Sequence, residues 1–239
     1  MNTSIYSEEL LETVRRWDGT LLGPGPQNKK REGIQVFKAA WFEQGFGKAH
    51  PIMPGVWWGP VCAICLYLSA IDPRFDAAAT AMRFGAGIVG WTLIEYFLHR
   101  LYFHHHFGDD FEGRLRAFMV HGYHHEFPND RMRLVAPLLL SLIVGAPIAV
   151  VYFLAAGSYF WLSYFAGTIV GYIAYDWIHY YEHHFTPTTR LGKFLRRYHM
   201  EHHYKDSNAH FGISSPLWDL VFGTWRAAPH RVPATDPKS

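Results

Sequence analysis

Four long apolar runs, at about residues 54–71, 77–98, 134–156 and 159–178, alternate with stretches crowded with histidine, arginine and aspartate. This segregation constrains the fold more than any average does, since the mean hydropathy of −0.06 describes neither kind of segment. A bilayer core takes about 20 apolar residues, with about 17–25 tolerated. The last two runs therefore fit a crossing well and the first two narrowly. Arg83 falls within the second run and has to snorkel toward water. Twenty of the 22 Lys and Arg residues lie in 1–53, 99–133 and 179–239, the exceptions being Arg74 and Arg83. By the positive-inside rule, that places both termini and the central loop in the cytoplasm. Aromatic residues make up 17% of the chain, and Trp and Tyr suit a membrane–water boundary. These features predict an all-α membrane protein with four spans.

The flanking segments say less. Residues 1–53 are polar and mixed in charge, with a loop-like LLGPGPQNKKREG at 21–33. Val36 to Phe46 reads as a short amphipathic or interfacial helix, and residues 227–239 read as a tail. The start, MNTSIYSEELLETVRRWDG, lacks the basic and apolar regions of a signal peptide, so internal spans are expected to direct insertion. Cys62 and Cys65 sit inside an apolar run and are expected as small core residues, not as a disulfide or metal pair. A formal charge of +2 is too small to suggest nucleic acid.

Sixteen histidines is the outlying number, and none lies in the middle of a run. Fifteen follow the end of the second run, in four clusters with single outliers at His210 and His230; the remaining one is His50. The clusters are EYFLHRLYFHHH, with His99 and His104; HGYHH, with His121, His124 and His125; DWIHYYEHH, with His179 and His183; and HMEHH, with His199, His202 and His203. Helical residues three and four apart share a face, so HxxHH presents imidazoles together. Neutral imidazole is a common ligand for iron, zinc and copper, and ten of them suit two metal ions with about five ligands each. His105 or His106 could replace His104, and His184 could replace His183, although helical phase favours His183 as the partner of His179. Glu95 lies four residues before His99 and Asp176 three before His179, positions from which a carboxylate could orient a ligating ring.

Zinc hydrolases use three protein ligands and an open position, so ten histidines exceed their needs. Two redox-active irons could instead activate dioxygen to attack an unactivated C–H bond, and a lipid substrate would explain the membrane location. Ligands at the cytoplasmic ends of the spans favour attack close to an acyl carbonyl. A metal-binding or transport protein would place ligands near mid-span along a polar path, which this sequence does not do.

The quoted clusters, together with EFPNDRMRLVAP (126–137), GYIAYDW (171–177) and FGISSPLWDLVFGTW (211–225), resemble the fatty acid hydroxylase superfamily across about residues 50–226. Within it they are similar to the sphingolipid fatty acid 2-hydroxylase branch. The resemblance implies a four-span fold with a cytosolic helical cap, comprising residues 54–226. It implies that the ten named histidines hold a dimetal site, with iron expected and zinc possible in isolated protein. It also implies 2-hydroxylation of a lipid acyl chain, such as the N-acyl chain of a ceramide, using dioxygen. Sister activities are a sterol or carotenoid hydroxylase or a lipid desaturase. Tyr175, Asp176 and Tyr180 match residues lining the site. Many eukaryotic members carry a cytochrome b5 domain with an HPGG motif, whereas here His50-Pro51 continues as Ile-Met. The expectation is therefore a separate cytochrome b5 or ferredoxin-type carrier, with its reductase, docking near Arg196, Arg197 and Lys205. The membrane would be the endoplasmic reticulum in a eukaryote and the inner membrane in a bacterium.

Overall fold

The computed structural model describes residues 3–23 and 33–226; most of the 21–33 loop, the 227–239 tail and His230 lie outside them. Among the described residues the chain is helical, with one isolated antiparallel bridge between Tyr6 and Phe37.

The polar N-terminal segment holds a helix that the sequence reading passed over. In α1 (Glu8–Arg16) the Ser7 side chain caps the N-terminus by accepting from the Leu10 amide at 3.0 Å. Glu8 and Glu9 occupy its first turn and Arg15 and Arg16 its last, each favourable to the helix dipole. Leu10, Leu11 and Val14 form its buried face. They pack with Trp17, Ile34 and Val36 against Leu115, Phe118, Tyr123 and Phe127. Truncating one such buried leucine to alanine typically costs about 2–5 kcal/mol. This core supports the helix that carries HGYHH. A short α2 (Ala40–Gly45) follows, within the stretch expected to be interfacial.

Met53–Ile71, Ala77–Phe103 and Leu138–His184 are long and apolar enough to cross a membrane. The first is α3. The second comprises α4 (Ala77–Phe97) and a π-helical turn, Leu98–Phe103. Then come α5 (Phe111–Ala117), a second π turn (Phe118–Gly122) and α6 (Tyr123–Glu126). The third and fourth apolar runs form two helical arms joined directly at Gly157 with no polar loop between them, together labelled α7 (Leu138–His184). It bends at Gly157, whose φ of 78° and ψ of 172° suit glycine. The arms fold together: the Tyr152 ring stacks on Tyr164 at 5.8 Å, and its hydroxyl lies 2.9 Å from Thr168 Oγ1. The second arm crosses α4 at Gly87 and Gly167, where a Cβ on either would run into backbone of the other helix. Small residues permit such close packing where lipid supplies no hydrophobic drive.

α8 (Arg190–Tyr204) and α9 (Leu217–Val221) complete the fold. Arg83, partly exposed six residues into α4, has its Nε donating to Ser163 Oγ at 3.0 Å and its guanidinium 4.7 Å from the Phe160 ring centroid. Cys62 and Cys65 are buried and unbridged. The NDRMR segment fastens the N-terminal residues to α6. Tyr123 donates to Asp130 at 2.7 Å and accepts from the Ile34 amide, while buried Arg133 pairs with buried Glu43.

Candidate dimetal site

The expected histidines converge, but each HxxHH motif divides its rings between two centres. His99, His104, His121, His125 and His202 form one group of five; His124, His179, His183, His199 and His203 form the other. Within each group the available ligand atoms lie within 4.8 Å of one another. The i and i+4 members of HGYHH face the first group and the i+3 member the second. In HMEHH, His199 and His203 face the second group and His202 the first.

The five-residue spacing of His99 and His104 is resolved by the π turn. Five residues in an α-helix rotate to about 140° apart. Here the His104 amide bonds to the His99 carbonyl at 3.2 Å, an i to i+5 bond, and the two rings come within 5.0 Å. Such turns are frequent at functional sites. His105 and His106 are exposed, and His184 packs on Tyr180, so all three stand outside the groups.

The donor geometry fits metal ions. Nε2–Nε2 separations are 3.0 Å for His99–His121, His121–His125, His124–His203 and His199–His203, and 3.1 Å for His124–His179. With metal–nitrogen bonds of about 2.1 Å, adjacent ligands at right angles stand about 3.0 Å apart. Two tautomers are fixed as well. His99 Nδ1 donates to the Phe211 carbonyl at 2.6 Å and His202 Nδ1 to the Ala209 carbonyl at 2.7 Å. A carbonyl only accepts, so both Nε2 atoms are bare lone pairs inside the protein; His202 Nε2 and His104 Nε2 have no hydrogen-bond partner. Hydrogen-free nitrogens facing one another in a buried space call for a cation. Burial pushes His104 down to about 2 and His124 to about 3. His121, His125, His199, His202 and His203 fall well below the ordinary imidazole value by desolvation and then by neighbouring rings. The neutral, ligating form therefore prevails at physiological pH.

The acidic residues act differently from the expectation. Glu95 does not bond His99. Its Oε1 accepts from the Ile213 and Ser214 amides at 3.1 and 2.9 Å, and its Oε2 from the Ser214 hydroxyl at 2.7 Å. It thereby pins the loop whose Phe211 carbonyl holds His99. Asp176 is buried with the Tyr172 hydroxyl as its neighbour, and no hydrogen bond joins it to His179, whose Nε2 meets His124. The sequence reading missed Asp219. This fully buried carboxylate accepts from the Phe211 and Gly212 amides at 2.9 and 2.7 Å and from the Thr224 hydroxyl at 2.6 Å. A lone aspartate between Trp218 and Leu220 in an apolar stretch was its only signal.

A cavity of about 330 Å³ meets both groups, with His121, His124 and His179 in its wall. It reaches Trp58, Gly145 and Phe165. His179 and Phe165 are 14 residues apart on one arm of α7, about 21 Å along the helix. Tyr175 and Asp176 line it; Tyr180, stacked on His184 at 4.5 Å, does not.

The chain is similar to known proteins over most of its length. The family model described as fatty acid hydroxylase matches residues 84–224. A dihydroceramide fatty acyl 2-hydroxylase of Arabidopsis thaliana is 32% identical over 81% of this chain and 80% of its own length. A ceramide very long chain fatty acid hydroxylase of Saccharomyces cerevisiae is 36% identical over 73% of this chain, which spans only 47% of that protein. The solved structure of full length scs7p, in which only the hydroxylase domain is visible, superposes with a TM-score of 0.76 at 30% identity, covering 95% of this chain and 82% of that one. With the family model covering residues 84–224, more than half of the sequence, and a relative 32% identical over most of both lengths, the chain belongs to the fatty acid hydroxylase family.

Proposed function

We propose that the chain hydroxylates carbon 2 of a lipid acyl chain, with the N-acyl chain of a ceramide or related sphingolipid as substrate. The observation that carries this reading is the junction of two five-histidine groups with a long apolar cavity inside the membrane-type helices. The ten histidines would hold two iron ions. Bound there, iron would supply the redox chemistry by which dioxygen oxidises an unactivated C–H bond. The balance is one acyl CH₂, one O₂, two electrons and two protons giving one CHOH and one water, so an external one-electron carrier is required. The cavity draws the tail away from water and leaves carbon 2 beside His121, His124 and His179. Tyr175 and Asp176, on the same wall, are suited to orient the polar carbonyl end. In this reading the two arms of α7 each cross the bilayer, giving four spans. Residues 1–53 form the N-terminal segment, 54–226 the hydroxylase domain and 227–239 the tail, with the metal site on the cytosolic side of the endoplasmic reticulum or bacterial inner membrane.

Expression in a host lacking 2-hydroxy acyl chains, followed by mass spectrometry of its lipids, tests the reading. A hydroxyl beside the carbonyl is expected. A new double bond, or oxygen on a sterol or carotenoid, would move the chain to a sister activity.

A further inference from the structure

His210 stands apart from the metal groups, yet it occupies an unusual position. Its φ of 60° is left-handed, a conformation rare outside glycine and tolerated where the surroundings enforce it. They do so here: its amide donates to the Thr224 carbonyl at 3.2 Å and its Nε2 to the Arg226 carbonyl at 2.8 Å. The residues on either side, Ala209 and Phe211, present the carbonyls that hold His202 and His99. One dipeptide step on each side of His210 thus leads to a different ligand of the first group.

The other face of His210 forms part of a surface hollow of about 210 Å³. Aromatic rings bridge the hollow to it. Trp225 lies 5.0 Å from Tyr198, and Tyr198 stacks on His210 at 4.4 Å. Arg197 stands exposed at the rim, Arg226 is exposed there while paired with Asp206 at 3.2 Å, and Glu201 lines the hollow 3.9 Å from His210 Nδ1. The adjoining α8 adds exposed Arg190 and Lys193, with Glu201 as its one acidic residue. Of the basic residues first considered for docking, Arg196 is turned inward to the Glu182 carbonyl and Lys205 is paired with Glu201, which leaves Arg197 at the hollow.

The geometry points to this hollow as the docking site of an acidic one-electron carrier protein, with residues 209–211 as the bridge from it to the first histidine group. The inference rests on the hydroxylase reading, which requires two electrons per turnover. Two reduced carriers each lose one electron to the metal site, while dioxygen takes both electrons and two protons as one of its oxygens leaves as water. Tunnelling falls steeply with distance, so a carrier needs a packed, continuous approach. The rings and the two histidine-to-carbonyl hydrogen bonds provide one, and the basic rim selects an acidic partner by steering it.

The test uses full-length protein in neutral-lipid nanodiscs, first titrated with oxidised cytochrome b5 and, separately, with a plant-type ferredoxin. This binding measurement needs no turnover. Charge reversal in Arg197→Glu/Arg226→Glu should weaken binding of at least one carrier by about tenfold or more at low salt, with the difference shrinking as salt rises. Lys38→Glu, on the N-terminal segment, serves as the distant control and should bind normally. Unchanged affinity for both carriers in the double variant would overturn the docking site. So would a loss seen only for anionic vesicles, which would make the patch a membrane contact. With reduced carrier at saturating concentration, so that a change in affinity drops out, His210→Asn, which tolerates the left-handed conformation, and Trp225→Leu should slow its anaerobic oxidation; unchanged rates in both would overturn the bridge. Product formation by the wild-type chain with dithionite as reductant examines the hydroxylase reading separately, so either idea can fail alone.

Discussion

The two five-histidine groups arise from the same kinds of motif and touch one another, with His125 stacked on His203 at 4.1 Å, yet they are held by different forces. In the first group, His99 and His202 are fixed through Nδ1 by backbone carbonyls of the 209–211 segment, and Glu95 and Asp219 clamp the loop that follows. In the second, the Nδ1 atoms of His199 and His203, like that of His125 in the first, are buried without hydrogen-bond partners, and no ring is tied to a backbone carbonyl in the way His99 and His202 are. Its rings are held by packing: His124 against His183 at 4.7 Å and His179 against His199 at 4.7 Å. Hydrogen bonds set tautomer and ring direction together, whereas packing sets position alone. The packed group contributes two rings to the cavity wall, His124 and His179, and the clamped group one, His121. The packed centre therefore presents more of the cavity wall, and the clamped centre is the more fully buried of the two.

Removing one ligand from each group gives the largest expected effect. His202 and His203 are adjacent on α8 but face different groups. Each alanine variant should lower hydroxylation by about a hundredfold or more, since supporting contacts to metal ligands alone are worth 10–100-fold. Metal analysis should show about one ion lost per chain in each variant, from a different group. If either variant loses both ions, the groups form one cooperative site and the contrast breaks. Asp219→Asn comes next. It keeps size but removes one of the carboxylate acceptors that shape the 211–212 backbone. Metal affinity of the first group should fall by about 10–100-fold while the second is spared. Competition with a graded chelator would then resolve two release steps where the wild type shows closer ones; equal weakening of both would mean that the clamp serves the whole cap.

The contrast between the groups also marks where the sequence could and could not be read. Which histidines come together was legible, because HxxHH and HxxxH place rings on a helix by simple periodicity. How each HxxHH divides between centres was not, since that depends on how α6 and α8 face each other across the site. The apolar runs were legible from length and composition, but the join of the last two at Gly157 depended on one backbone conformation. The helix Glu8–Arg16 was masked by its charged outer face, although its Ser7 cap and its Leu10, Leu11 and Val14 stripe were present in the sequence. Glu95 and Asp176 were recognised as unusual, but proximity along a helix did not reveal their partners: Glu95 bonds backbone amides more than a hundred residues away.

The smallest expected effect separates two tyrosines on the second arm of α7. Tyr175 lies in the cavity wall between Trp91 and His179, with ring separations of 5.8 and 5.9 Å, while Tyr180 stacks away from it on His184. Deleting a hydroxyl that contacts the substrate costs about 0.5–1.5 kcal/mol, so Tyr175→Phe should lower kcat/KM by about two- to tenfold. Tyr180→Phe should stay within about twofold, the size of an ordinary change away from the site. The reason is the same one that brings His99 and His104 together. Both pairs are five residues apart, but the histidines are joined through a π turn, whereas residues 175–180 are α-helical and point about 140° apart. Kinetics on the two variants with one lipid substrate would check this. Equal losses would require a local unwinding of α7 beside the packed group, and that group would then share the backbone irregularity that now distinguishes the clamped one.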